Sequence, residues 1–485
     1  MRKAVIIFSL LCYELCHAQQ GINNNWLMGY YGGGGETKID FFSGSPVITQ
    51  YNVPMDFRHT HANIADATND TMQNGSGINP GAYANTFKQG FQIAQGALAI
   101  RKPGSNTLYY LFHGSVDNYP NASGSVAYNL KMTTIDMSLN NGLGAVVSKN
   151  TIMIQDTLNS GKITACKHAN GRDWWVVVHR VNSNTFYKLL VTPNVILGPY
   201  TQNIGTIRPM DGGQLKFSKS GTKLAYYYGG EGLDLFDFNR CTGQLSNLIH
   251  DTFSPPNGLD GCEFSPNSNV FYASTVYAIY QYDLLASNVI ASRTTVAVYD
   301  SFFQPGYPNL RTFLCHQQLA PDGKIYIVTG NGSTYLHTID YPDVIGIGCN
   351  VNQHSVLLPT FNFNTLPNHP NYFLECDSTL GCLCASTTDL TPYPSPKERG
   401  VTAMPNPNDG NFTLQFDVKS VSGTLEIYDV MGKLVYKDYV SAWSQFKKVD
   451  LTPTLSKGEG VSGGIYNCIL RRGENIESVK VIIEK

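Results

Sequence analysis

The chain has 485 residues, a formal net charge of −2 and 14% charged residues. That balance leaves no basic face for nucleic acid or anionic lipid, and the length points to two or three domains rather than one. The 46 glycines, 29 tyrosines and 23 phenylalanines, with abundant Asn, Ser and Thr and no long run at helical period, favour short strands and tight turns, so the expected class is all-β.

In chain order, residues 1–18 read as a secretory signal. Arg2 and Lys3 precede an apolar run from Ala4 to Cys12, and Cys16-His-Ala18 supplies small residues for cleavage between Ala18 and Gln19. The run is too short to span a bilayer, and the leucines before Cys12 and Cys16 argue against a lipidated start. No other segment reaches transmembrane length, so a soluble mature chain starting near Gln19 is expected.

Five later segments share one grammar: an apolar strand, a tight turn, then a strand rich in aromatics. Their turns fall at Gly104, Gly171, Gly221, Ser268 and Gly323, separated by 67, 50, 47 and 55 residues. Lys-Ser-Gly221 and Pro-Asp-Gly323 are turn chemistry, because proline presets φ and glycine accepts a positive φ. A third strand follows in most units, ends at Asp136, Asp237, Asp283 or Asp340, and a turn closes the unit. A period of roughly 40–50 residues with several strands per unit signals a β-propeller, whose radially stacked sheets bury one another's faces. Paired β-sandwiches would not repeat this grammar. A weaker copy from Ala62 to Gly75 brings the expectation to six or seven blades over 19–384, with the polar run Asn69–Gly77 leaving the first blade open.

Residues 385–403 make a linker, with three prolines between 392 and 396. A near copy occupies 451–461, and both read as one repeat element tolerated in loops, where added length costs little. Around that insert, 404–485 alternates as strands do, at Phe412–Phe416, Leu425–Asp429, Leu434–Tyr436 and Ile465–Leu470, with a hairpin turn at Met431-Gly432. About seven short strands of this kind suggest a small immunoglobulin-like sandwich.

The ordered motifs of this segment are Met404-Pro-Asn-Pro-Asn-Asp-Gly-Asn-Phe-Thr-Leu414, Leu425–Tyr436, Gly464-Ile-Tyr466 and Val479–Lys485. Together they resemble the type A C-terminal sorting domain of the type IX secretion system of Bacteroidetes. The resemblance implies recognition by the outer-membrane translocation machinery through Gly432, Lys433, Gly464, Tyr466, Lys480, Val481, Ile482 and Ile483, and removal by cleavage in the linker. It also implies Sec-dependent export to the periplasm, then secretion or display at the outer-membrane surface. On the residues alone, Gly432 is equally a turn glycine and Ile482 a last-strand residue. The segments Lys102–Tyr110, Lys167–Trp175, Phe264–Ser268 and Leu319–Tyr326 are similar to secreted Bacteroidetes propeller proteins without assigned biochemistry.

Nine cysteines follow residue 18: Cys166, Cys241, Cys262, Cys315, Cys349, Cys376, Cys382, Cys384 and Cys468. An oxidising compartment favours a local disulfide among Cys376, Cys382 and Cys384, and the odd count leaves at least one thiol. Cys382-Leu-Cys384 lacks a second ligand pair for zinc, and His59-Thr-His61 lacks a third ligand. Glu231, Asp234 and Asp237 do not fit the EF-hand template. Asp260-Gly-Cys-Glu263 puts a carboxylate at the channel mouth or at a strand start, and His168 and His179 suit structural or channel positions. Trp174 and Trp175 suit packing between blades better than stacking on sugars. Gly32–Gly35 lacks the lysine and helix of a phosphate loop, and no nucleophile elbow, zincin or Walker sequence occurs. Two functions stay open: a non-catalytic secreted or surface propeller that binds glycan or protein, or a propeller hydrolase or lactonase with a metal or carboxylates in the channel. No catalytic residue, metal ligand or cofactor is assigned, and a plugged channel would count against the enzyme.

Overall fold

The computed structural model describes residues 22–30, 34–51, 57, 62–65, 71–73, 95–115, 117–118, 125–159, 161–252, 260–364, 366–385, 400–451 and 463–484. The expected leader with Ala18 and Gln19, the His59–His61 pair and most of both proline-bearing segments lie outside these residues.

Among the described residues the strands form nine sheets. Seven belong to the propeller. They are a three-stranded sheet (Asn25–Tyr30, Gly35–Asp40, Val47–Tyr51), a pair (Asn63–Ala65, Thr71–Gln73), a five-stranded sheet within 97–158, and four-stranded sheets within 164–208, 214–251, 261–298 and 317–362. Each four-stranded sheet is a meander in chain order. The first strands Thr164–Lys167, Gln214–Phe217, Gly261–Phe264 and Gln317–Leu319 lie side by side around the axis, and Val351–Asn362 packs on the first sheet to close the ring.

The repeat grammar has a local cause. Gly104, Gly171, Gly221, Ser268 and Gly323 all have positive φ, from +63° to +83°, the conformation that turns each first strand back into its second. The second strands Trp174–His179 and Val270–Thr275 are buried along their whole length because both faces meet neighbouring sheets. Trp174 packs edge-on to Tyr372, and Trp175 donates Nε1–H to the Arg240 carbonyl (2.8 Å), so both pack between blades. The third-strand aspartates hold turns and strand starts: Asp237 and Asp340 accept from Lys223 and Lys324 (2.8 Å each), and Asp136 and Asp283 from the N–H groups of Ser138 and Leu285 (2.9 Å each).

Two features differ from the sequence expectation. A fourth, outermost strand completes each unit where only a turn was expected, for example Ile196–Arg208 and Gln244–Asp251. Most of its side chains face water, with isolated buried ones such as Leu245, so its apolar signature is weak. The expected local disulfide exists as Cys376–Cys384, but Cys382 pairs with Cys241 across 141 residues. Cys166, Cys262, Cys315, Cys349 and Cys468 are buried free thiols.

The C-terminal domain packs a three-stranded sheet (Thr402–Met404, Asn411–Gln415, Phe446–Asp450) on a four-stranded one (Leu434–Val440, Gly423–Tyr428, Gly464–Arg472, Asn475–Ile483). Phe412, Leu414, Leu425, Ile427, Tyr466 and Val481 fill the space between them. Among the described residues no helix is long and apolar enough to cross a membrane.

Candidate functional site

The propeller axis is filled by the chain's own amides. Neighbouring inner strands of a propeller do not share a backbone ladder, so their inward N–H and C=O groups need other partners. Gln95 accepts from the Leu215 N–H (2.9 Å) and donates to the Leu215 carbonyl (3.0 Å). Gln214 accepts from the N–H groups of Cys262 and Gln317 (2.9 Å each) and donates to the Gln317 carbonyl (3.2 Å). Asn368, on the segment after the last blade, donates to the carbonyls of Ala97 (3.0 Å) and Ile163 (2.8 Å).

Charged groups in the axis are also engaged. Lys216 Nζ lies 3.3 Å from Glu263 Oε2 and donates to Gln318 Oε1 (2.6 Å), while the Leu319 N–H donates to Glu263 Oε2 (3.1 Å). A cavity of about 20 Å³ bordered by Lys216, Glu263, Gln318 and Asn368 is large enough to hold ordered water. Just before the inner strands, toward the other mouth, Lys162 pairs with Asp211 (3.0 Å), Asp260 accepts from the Gly229 N–H (2.8 Å), and His316 Nε2 bonds the Gly212 carbonyl (2.7 Å). Burial pushes His316 down to about 4, so the ring is neutral at pH 7.

The other candidate groups do not converge. Asp234 meets Arg208 (2.9 Å) and His250 (2.7 Å), whereas Asp237 faces Lys223. His168 Nε2 bonds the Cys241 carbonyl (2.9 Å) and lies 3.7 Å from Cys382 Sγ. Both neighbouring sulfurs are tied up in the disulfide, so this His/Cys/Cys group offers no thiolate ligand. His179 sits edge-on to Phe186 and Tyr226 with no polar partner on either ring nitrogen among the described residues, and burial pushes it down to about 3.

In the C-terminal domain the register brings the expected sorting positions to one end of the four-stranded sheet. Gly464 pairs with Ile483, Ile465 with Ile482, Tyr466 with Val481 and Asn467 with Lys480. Asn467 also pairs with Tyr428, the last strand residue before the Asp429–Lys433 turn. Asp429 Oδ1 accepts from the N–H groups of Met431 and Lys433 (2.9 Å each), and Gly432 takes φ +79°. The eight positions divide by burial: Tyr466, Val481 and Ile483 are core, whereas Gly432, Lys433, Gly464, Lys480 and Ile482 are exposed. Exposed Met431, Leu434 and Ile465 lie beside them, so this end offers apolar surface flanked by two lysines.

Sequence reasoning missed why Pro-Asn-Pro-Asn accompanies the tail. The Asn406 side chain stands in for a backbone strand: its Nδ2 donates to the Lys480 carbonyl (2.9 Å) and its Oδ1 accepts from the Ile482 N–H (2.8 Å). The Asn408 backbone continues the ladder to Ile482 and Glu484 (2.9 and 2.8 Å). An asparagine between prolines, 74 residues from its partner, carries no local sign of this pairing.

Residues 402–484 match the family described as secretion system C-terminal sorting domain. No curated protein matches the chain. Among solved structures, the chain is similar to a functionally unknown protein from Desulfotomaculum acetoxidans (12% identity, 72% of this chain and 99% of that one, TM-score 0.41). It is also similar to PorZ, a surface component of the type IX secretion system of Porphyromonas gingivalis (11%, 96% and 74%, TM-score 0.29), and to the Dos1 propeller (12%, 64% and 73%, TM-score 0.37). These likenesses are distant and carry no inference about activity. The chain is a β-propeller that ends in a type IX secretion system C-terminal sorting domain, the mark of export to the cell surface or the medium.

Proposed function

We propose that this is a non-catalytic propeller of a Bacteroidetes cell, delivered by its C-terminal domain and binding glycan or protein through its loops. The filled axis carries this reading. The inward carboxylate Glu263 is engaged by a lysine and a backbone N–H, which supports a structural role for it over a catalytic one. The leader 1–18, propeller 19–384, linker 385–403 and sorting domain 404–485 form the working division, with cleavage between Ala18 and Gln19 on Sec-dependent passage and in the linker after translocation. The exposed positions Gly432, Lys433, Gly464, Lys480 and Ile482 contact the machinery, and Tyr466, Val481 and Ile483 hold the sheet that presents them.

Elemental analysis and ester and lactone hydrolysis assays on the full-length protein test the non-catalytic half. Metal far below one equivalent and no turnover are expected, and a stoichiometric metal with turnover abolished by Glu263→Gln would restore the hydrolase reading. For the sorting half, Ile482→Asp should leave stability within about 0.5 kcal/mol, as exposed changes do, and lower export at least about tenfold. Val481→Asp should instead unfold the domain by burying an unpaired charge. Export unchanged by Ile482→Asp and Lys480→Glu together would remove these positions from the recognition surface.

A further inference from the structure

The C-terminal domain is seated on the propeller by the loop that leads into its Phe446–Asp450 strand. Ala442, Gln445 and Phe446 are all but inaccessible, yet none belongs to the apolar core between the domain's two sheets. Propeller residues lie against Gln445 and Phe446. Gln445 Nε2 donates to Asn23 Oδ1 (3.4 Å), and the Gly44 turn, at φ +77°, lies so close that a Cβ there would stand 2.4 Å from Phe446. Ser441 borders the Gly323 turn, and the Tyr439 hydroxyl donates to Asp343 Oδ2 (2.7 Å), a carboxylate that also accepts from the Asn267 N–H (2.9 Å).

Trp443 stands at the tip of this loop. Its φ of +60° is a conformation that bulky residues avoid, held by a bond from its N–H to the Lys419 carbonyl (2.8 Å). The side chain packs on the propeller cluster that contains Leu215, Leu224 and Leu374.

We propose that Ser441–Phe446 is a plug that seats the sorting domain at the turn-side mouth of the propeller, with Trp443 as its anchor. Cutting the linker therefore does not release the domain. Release takes a second step, withdrawal of Trp443, and that step uncovers a propeller surface formed by the Gly44 and Gly323 turns, Asn23 and Asp343. This holds whether or not the domain directs export.

The test replaces residues 392–397 of the full chain with a specific protease site, cuts it, and runs gel filtration at micromolar concentration. The two fragments should co-elute. Trp443 is the only tryptophan of the C-terminal fragment, so its emission should shift to the blue when the separated pieces are remixed. Trp443→Ala should weaken reassociation at least about tenfold, as loss of an aromatic anchor does. Tyr439→Phe should weaken it about threefold, and it removes one oxygen from neither core, which keeps the test standing if the alanine variant fails to fold. Wild-type fragments that separate on cutting, or variants that rebind as tightly as wild type, would overturn the plug.

Discussion

Asn406 shows how one side chain joins two ends of a domain. A primary amide has the donor and acceptor spacing of a peptide group, so it extends the ladder of Asn475–Ile483 where no strand is available. Asn406→Ala strips partners from Lys480 and Ile482 and should lower the stability of the C-terminal domain by about 1–3 kcal/mol, read by urea unfolding. The buried histidines make a second residue-scale statement. Desolvation lowers His113, His316 and His337 to about 4 and His179 to about 3, from an unfolded value near 6.5. The unfolded chain then binds more protons between pH 6.5 and 4, so stability is full above 6.5 and falls as pH drops through that window. Asp322 opposes them: burial raises it to about 6, so its contribution grows as pH falls. Burial raises Asp343 as well, so these two acids offset part of the acid lability that the four histidines confer. His179, with no polar partner among the described residues, gives the cleanest test. His179→Phe should reduce the dependence of stability on pH near pH 5 by about 1.4 kcal/mol per pH unit, and an unchanged slope would place that proton uptake elsewhere.

At the scale of elements, legibility followed burial. The turns at Gly104, Gly171, Gly221 and Gly323 were readable because a positive φ selects its residue type, and the second strands because burial on both faces demands unbroken apolar runs. The outer strands were less so, because Gln244–Asp251 and its counterparts turn most of their side chains to solvent and only a few, such as Leu245, to a core. Gln95, Gln214 and Asn368 were hidden, since their meaning lies in backbones more than 40 residues away. The strap after the last blade was half legible. Three nearby cysteines announced a local disulfide, but only the fold shows that Cys382 reaches Cys241 and that Arg240 Nη2 bonds the Glu375 carbonyl (2.7 Å). Loop closure ranks the two bonds: replacing Cys241 and Cys382 by serine should cost up to about 5 kcal/mol, and replacing Cys376 and Cys384 about 3 kcal/mol. Equal shifts in melting temperature for the two double variants would show that the long bond does not hold the strap to the blade.

The whole molecule joins a passenger to its address. The propeller closes its ring by packing the last sheet on the first, fills its axis with a segment from beyond the last blade, and seats the sorting domain on its turn face. The end of the four-stranded sheet that carries Gly464, Lys480 and Ile482 remains exposed in that arrangement. The most direct test compares the full chain with one ending at Arg399, in a bacterium that has a type IX system and in a strain lacking it. Surface protease and fractionation report location. The full chain should reach the surface or medium only where the system is present, and the shortened chain should stay in the periplasm in both strains. A shortened chain that leaves as efficiently as the full one, or a full chain held in the cytoplasm with Met1 and Lys485 both present, would contradict the account.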